Sequence, residues 1–553
     1  MRISLYFHTL RYLRPSQLFF RAYRWCKRPD FILPGELPAP RIMKGDWRVW
    51  NCQSARMVAK DEFVFLRTKG KLESSFDWND IRQDKLWLYN LHYFDDLVAE
   101  AAESRNEWHR EMIHRWVNEN PVGLGVGWEP YTISLRVVNW IKWILNGNEP
   151  EQKWLDSLAL QVHVLTQQLE YHLLGNHLFA NAKALIFAGL FFEGKVAEKW
   201  LKKGLKILDR EIPEQILEDG AHFELSPMYH CIILQDMLDL LNITDAYPHS
   251  GLRDRLDIWR SIASQMFFWM DNMLHPDGEI AFFNDAAFGV APAAEKLKQY
   301  AFLLQINMKG LREYNEMVAP SLLDLGASGY IRVVSDDSVV IIDCADIGPN
   351  YIPGHAHADS LSFELSIGSQ RVLVNSGISG YGLSDERHRQ RSTAAHNTVV
   401  VDGLNSSEVW AGFRVARRAR IVERKVLTKE TGEVEICAMH NGFVKQGLKV
   451  FHRRTWSFGQ RTLDVIDELN GDFHSAVGYL HLHPDIKIVS ESNYKFVFKT
   501  PTHQITFEFA GTCAELINGI WHPEFGLDIP NHFIKLIFLQ PKVQTSVCWQ
   551  VLH

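Results

Sequence analysis

Three short segments gather groups that can hold an anion and move a proton. The first is Leu174-Gly175-Asn176-His177, running on to Asn181. The second, from Glu218 to His230, carries His222, Glu224, Ser226, Pro227 and Tyr229. The third reads Gly354-His355-Ala356-His357-Ala358-Asp359-Ser360, followed downstream by Ala394-Ala395-His396-Asn397-Thr398. Amides and imidazoles donate hydrogen bonds to carboxylates. Phenols and imidazoles exchange protons when their pKa values lie near the working pH.

Each residue also has a quieter reading. Asn176 suits the cap of a helix beginning near His177. Tyr229 suits a buried helix position with its hydroxyl satisfied. Pro227 at a helix start would put Tyr229 in the first turn, where the helix dipole favours a phenolate. His355 and His357 would share a face of a regular strand, so a turn or bulge must separate them. Arg387, Arg389 and Arg391 suit carboxylate or sulfate recognition, or equally a solvated basic loop. Trp128-Glu129-Pro130-Tyr131 and Asn284-Asp285 read either as cleft lining or as structural loops.

Elements to position these groups are legible along the chain. To about residue 310, apolar residues recur at three- and four-residue spacing. This predicts helices over Asn90–Ala102, Glu107–Asn118, Tyr131–Leu145, Glu151–Leu174, His177–Phe192, Val196–Leu208, Pro227–Leu241 and Leu252–Met273. Breakers such as Asn120-Pro121 and Pro276-Asp277-Gly278 fall between them. From about Gly326 the texture becomes short β-rich runs divided by Gly, Asn, Asp and Ser. Strand after strand without helices implies stacked antiparallel sheets. The expected units are residues 1–320, helical, and 321–553, a β-sandwich, with the boundary between 310 and 326 and a ligand cleft between the halves.

The 553 residues are 46% hydrophobic and 23% charged, enough apolar material for more than one core. A formal net charge of -7 gives no bulk attraction to nucleic acid or anionic membrane. Seven scattered cysteines do not form a disulfide framework. Arg11, Arg14, Arg21 and Arg24 interrupt the apolar N-terminal stretch, so neither a secretory signal nor a membrane span is expected, and a cytoplasmic location is the simpler reading over a periplasmic one. The same alternation of Arg with Leu, Phe and Tyr suits a membrane-surface helix. A basic helix packed on its own protein is the favoured alternative.

Taken in order, the Gly-Asn-His, Ser-Pro-x-Tyr-His, Gly-His-Ala-His-x-Asp and Ala-Ala-His-Asn-Thr motifs resemble the heparinase II/III superfamily of polysaccharide lyases. The resemblance implies an α+β fold, an N-terminal incomplete (α/α) toroid followed by a C-terminal antiparallel β-sandwich. It implies cleavage of a uronic-acid-containing polysaccharide by proton abstraction at C5 and β-elimination. In that reading Asn176 neutralises the uronate carboxylate, with His177 assisting. Tyr229 gives a proton to the leaving oxygen, and His355 is the base. Tyr381 and Arg391 are further substrate-side candidates. His357 and His396 belong to a structural zinc site, with Asn375 standing where relatives carry Asp. A neutral amide is a poorer zinc ligand than a carboxylate, so a structural zinc held more weakly than with Asp is expected, with a hydrogen-bonded, metal-free version of the same site as the alternative. Uronyl C5-epimerisation and non-catalytic glycan binding are the alternatives. The expected partner is an acidic polysaccharide.

Overall fold

The computed structural model describes residues 2–26, 29–32, 37–308, 320–335, 337–428 and 433–552. Most of the expected boundary region, 309–319, lies outside the described residues. Eleven helices of the first part frame the discussion: α1 (Arg2–Leu10), α2 (Pro15–Cys26), α3 (Lys85–Tyr93), α4 (Asn106–Glu119), α5 (Pro130–Leu145), α6 (Gln152–Gln167), α7 (Gly175–Phe191), α8 (Lys195–Gln215), α9 (Pro227–Ala246), α10 (Arg253–Asn272) and α11 (Ala294–Leu303).

Helix α7 is apolar on every side, and nearly every residue from Gly175 to Phe191 is buried. Such a helix belongs inside a bundle, and it packs against α5, α6, α8 and α9. Three of these helices are pinned by buried charges. Lys183 on α7 donates to Asp236 (2.6 Å) and Asp239 (2.5 Å) on α9, and Lys142 on α5 donates to Asp239 (2.6 Å). Breaking one partner of such a set leaves an uncompensated buried charge, which costs about 3–5 kcal/mol.

Several helix limits differ from the sequence reading: α8 runs past the predicted Leu208 to Gln215, and α9 past Leu241 to Ala246. The helix predicted over Asn90–Ala102 lies earlier, at α3, because Asp84 caps its start and Phe94 turns left-handed (φ 63°) at its end. The helix predicted to reach Leu174 stops at Gln167, and a turn carries the chain to Leu174. Helix α11 and a small hairpin sheet over residues 57–71 were not anticipated.

Among the described residues, the second part carries three larger antiparallel sheets. The five-stranded sheet is a meander of Ser321–Leu325, Tyr330–Ser335, Ser338–Asp343, Phe363–Ile367 and Gln370–Leu373. An eight-stranded sheet spans residues 421–551, and a four-stranded sheet pairs Thr512–Trp521, Ile529–Phe538, Ala476–His481 and Val399–Val401. Alternation in the long strands, such as Phe451–Gly459, buries one face and leaves the other half-buried. Ser338–Asp343, by contrast, is buried throughout. Its Val340 and Ile342 belong to one cluster with Trp456, Phe507 and Val547 of the eight-stranded sheet. Its Val339 and Ile341 belong to a cluster with Trp269, Met273 and Leu225 of the helical part. One sheet therefore joins both halves by its two apolar faces.

Candidate active site

The site lies where those halves meet. Four of its segments include or adjoin a non-glycine residue with positive φ: Leu174 (68°), Leu225 (57°), Asn284 (56°) and Leu361 (63°). Leu174, with ψ -155°, occupies a region ordinarily reserved for glycine. Strain of this kind costs about 1–3 kcal/mol per residue and persists where the surroundings over-determine it.

Gly175 follows at φ 56°, and a Cβ there would meet Glu224 Oε1 at 2.6 Å and Ile352 at 2.8 Å. The missing side chain lets the start of α7 press against the Glu224 and Ile352 loops. Asn176 is thus inside the first turn and does not cap the helix; Leu174 is the cap residue, with no side-chain bond. The Asn176 amide donates to Glu224 Oε2 (3.3 Å) and lies 3.5 Å from His355 Nε2.

Tyr229 reaches the same point from α9. Ser226 caps that helix by accepting from the Tyr229 backbone N–H, and Pro227 occupies its first turn. The Tyr229 ring stacks on His355 with centroids 3.8 Å apart. Its hydroxyl is 2.8 Å from that of Tyr381. Burial, then the neighbouring Tyr381 and the Asp285 charge, push the Tyr229 phenol well above its ordinary range. The helix dipole does not make it a phenolate: the buried phenol keeps its proton.

Residues 355–359 form a loop and not a strand. This separates the two histidines, and Asp285 holds both. His355 Nδ1 donates to Asp285 Oδ2 (2.9 Å), and His357 Nε2 donates to Oδ1 (2.8 Å). Arg387 completes the hub with two bonds to the same carboxylate, one of 2.7 Å. Burial would raise the Asp285 carboxyl, but the Arg387 charge and the histidine bonds hold it well below the usual range. An ionised carboxylate accepts only, so it assigns the proton of neutral His355 to Nδ1 and leaves Nε2 free to act as a base toward Asn176 and the cleft.

The expected metal ligands meet, but not as a metal cage. His357 Nδ1 lies 3.1 Å from His396 Nε2, and His396 Nδ1 lies 3.1 Å from Asn375 Oδ1. The Asn375 amide donates to the Phe282 carbonyl (2.7 Å), which fixes its oxygen toward His396. Both outer imidazole nitrogens thus face acceptors, Asp285 and Asn375. With neutral rings, two lone pairs meet at the inner nitrogens. Zinc needs four donors at about 2.0–2.3 Å. Only these two converge, and among the described residues no group of three His, Cys, Asp or Glu is placed to hold a metal. Asn375 sits behind His396 and is not a third ligand. The residues present do not fit a complete zinc site.

Other expected residues divide. His177 lines the cleft with Tyr131 (ring centroids 4.5 Å) and pairs with Glu170 (3.1 Å). Tyr381 is in the site, through Tyr229. Arg391 is not: it is fully buried and donates to the carbonyls of Ala356 (2.8 Å) and Ala411 (3.0 Å), so it braces the His355 loop from behind. Arg389 pairs with Glu386, so the three arginines form neither a substrate cluster nor a solvated loop. Two residues gained importance only in three dimensions. Asn284-Asp285 reads in sequence either as cleft lining or as a structural loop, and the contacts of Asp285 place it in the site. Glu224 carries no sequence motif of its own beyond standing among His222, Phe223 and Ser226. Burial raises the Glu224 carboxyl, while His355 and the Asn176 hydrogen bonds oppose the shift.

Residues 65–306 match the family described as heparinase II/III N-terminus, and residues 317–550 match heparinase II/III-like, C-terminal. A heparin-sulfate lyase of Bacteroides stercoris is 29% identical over 331 residues, which is 57% of this chain and 46% of the relative. FtsZ-localized protein C of Caulobacter vibrioides is 28% identical over 330 residues, 55% of this chain and 53% of the relative. The chain thus spans about half the length of these curated relatives. A crystal structure of heparinase III superposes with a TM-score of 0.68 at 17% identity, over 88% of this chain and 79% of that one, and shares its fold.

Proposed function

We propose, from the premise that the chain belongs to the heparinase II/III-like family, that it is a lyase cleaving a uronate-containing, glycosaminoglycan-like polysaccharide. The observation that carries this reading is the meeting of Asn176, Tyr229 and His355 from three distant segments within direct contact. A uronate C5–H is weakly acidic because its carboxylate is already charged. Donors that neutralise the carboxylate, a base and an acid must therefore converge. Asn176 supplies the donor.

His355 Nε2 takes the C5 proton. The electron pair of that C–H bond forms the C4–C5 double bond as the C4–O4 bond breaks. The departing O4 takes the Tyr229 hydroxyl proton, and Tyr381 can pass a replacement. Proton transfer from His355 to solvent resets the base. Asp285 keeps the reactive nitrogen of His355 toward the cleft, as a triad carboxylate does for its histidine. No step calls on a metal.

Support comes also from the heparin-sulfate lyases among the relatives. Incubation with a panel of uronate polymers tests the reading. New ultraviolet absorbance from unsaturated ends is expected. Deuterium uptake at C5 from heavy water without chain cleavage would instead assign epimerisation, and binding without either would assign a glycan-binding protein.

A further inference from the structure

Helices α1 and α2 precede the residues matched by the family descriptions and carry a surface that the cleft chemistry does not use. Their inner side packs across both halves. Gln17, 1% exposed, donates to the carbonyl of Tyr351 (3.3 Å), and Arg14 pairs with Glu214. Tyr6 meets Trp410 edge to face at 4.9 Å, and Trp410 donates to Thr9 (3.0 Å). So far this is a basic segment packed on its own protein.

The outer side is different. Ile3 (86% exposed), Phe7 (63%) and Leu10 (47%) follow helical spacing along one face of α1. On α2, Phe19 is 61% exposed and Trp25 97% exposed. Scattered apolar residues are normal on a protein surface, but a face of aromatic and aliphatic side chains on two successive helices is not. Charge flanks it on one sign only. Residues 1–29 contain seven Arg or Lys and no Asp or Glu, in a chain of net charge -7. Arg11, Arg21 and Arg24 are exposed. Arg414, from the β half, stacks over Tyr6 at 5.3 Å and adds to the patch.

We infer that α1 and α2 dock this protein on an anionic lipid bilayer, lying in its plane. Apolar side chains outward with arginines at their flanks is the pattern of an interfacial helix, whose guanidinium groups stay at headgroup level. Neither helix is long enough to span: they have 9 and 12 residues. The docking face also adjoins the cleft. Phe413 packs against His355 (6.0 Å) and Tyr381 (5.2 Å), while its neighbour Arg414 belongs to the basic patch. A docked protein holds one cleft rim at the membrane surface.

Co-sedimentation of the full chain with vesicles tests this. Vesicles of phosphatidylcholine with phosphatidylglycerol are expected to retain the protein, and phosphatidylcholine alone to retain far less. Neutralising Arg11→Gln and Arg21→Gln should weaken retention about fivefold for each charge, and high salt should do the same. The variant with Phe7→Ser, Phe19→Ser and Trp25→Ser should lose retention while keeping its circular dichroism and melting temperature. Three outcomes overturn the inference: no retention by anionic vesicles, retention unchanged in the serine variant, or a lipid-independent dimer by light scattering that the serine variant dissolves.

Discussion

Tyr229 and His355 lie ring on ring, 3.8 Å between centroids and 30° between planes, although 126 residues separate them in sequence. The stack belongs to the rings, and the proton chemistry belongs to the hydroxyl. Tyr229→Phe should therefore lower turnover about 10²–10⁴-fold. Stability should change by no more than about 1 kcal/mol, the net worth of the lost hydrogen bond to Tyr381. Steady-state rates and a melting curve check this; near-normal turnover would falsify the acid role.

Asp285 is the residue on which most of the site depends. Asp285→Asn removes the counter-charge of Arg387, which is 1% exposed, and one acceptor from two histidines. Loss of about 3–5 kcal/mol is expected, because a buried cation is left unpaired. Denaturant unfolding measures it. A loss below about 1 kcal/mol would show that the hub does not brace the cleft.

Zinc after exhaustive dialysis should be well below one per chain, since two imidazoles alone converge. Asn375→Asp places a carboxylate behind His396 Nδ1, which sharpens the lone pair on Nε2. Retention should rise modestly without reaching full occupancy. Elemental analysis of both forms decides. Full occupancy in the unmodified protein overturns the two-donor reading.

The His177–Glu170 pair sets a pH dependence. Burial opposes the charged imidazole, but the Glu170 charge and hydrogen bond outweigh it and raise the His177 pKa. Burial likewise opposes the Glu170 carboxylate, and His177 and Asn181 hold its pKa down. A raised histidine stabilises fully below its unfolded pKa of about 6.5, and that contribution fades as pH rises through the folded value. The glutamate contribution is present above about 4.3 and fades as pH falls through its depressed value. The melting-temperature gap between the original protein and His177→Gln should be widest between these limits and shrink toward pH 9. A gap independent of pH removes the ion pair from the account.

Much of this was written in local chemistry. Helical periodicity marks α4, α5 and α10, because burial of one stripe demands apolar residues three and four apart. Ser226-Pro227 announces the start of α9, since a cap and a residue without an N–H both suit a first turn. Where local signals compete, they misled. Asn176 is a good cap by type, yet Gly175 and the strained Leu174 start the helix two residues earlier than an Asn176 cap would.

By itself the sequence determined the α+β architecture, the order of its elements and the residue types able to do proton chemistry, because propensity and periodicity act within a few turns or strands. Only the tertiary structure decided which of those residues meet. Arg391 and Arg387 stand four apart on one short segment, yet one is spent on backbone carbonyls and the other on Asp285. Asn375 lies behind His396 and not beside a metal. Such partnerships join residues separated by tens to hundreds of positions. Hydrogen-bond direction, burial and charge pairing across the two halves settle them, and none of these is a property of a local stretch of chain.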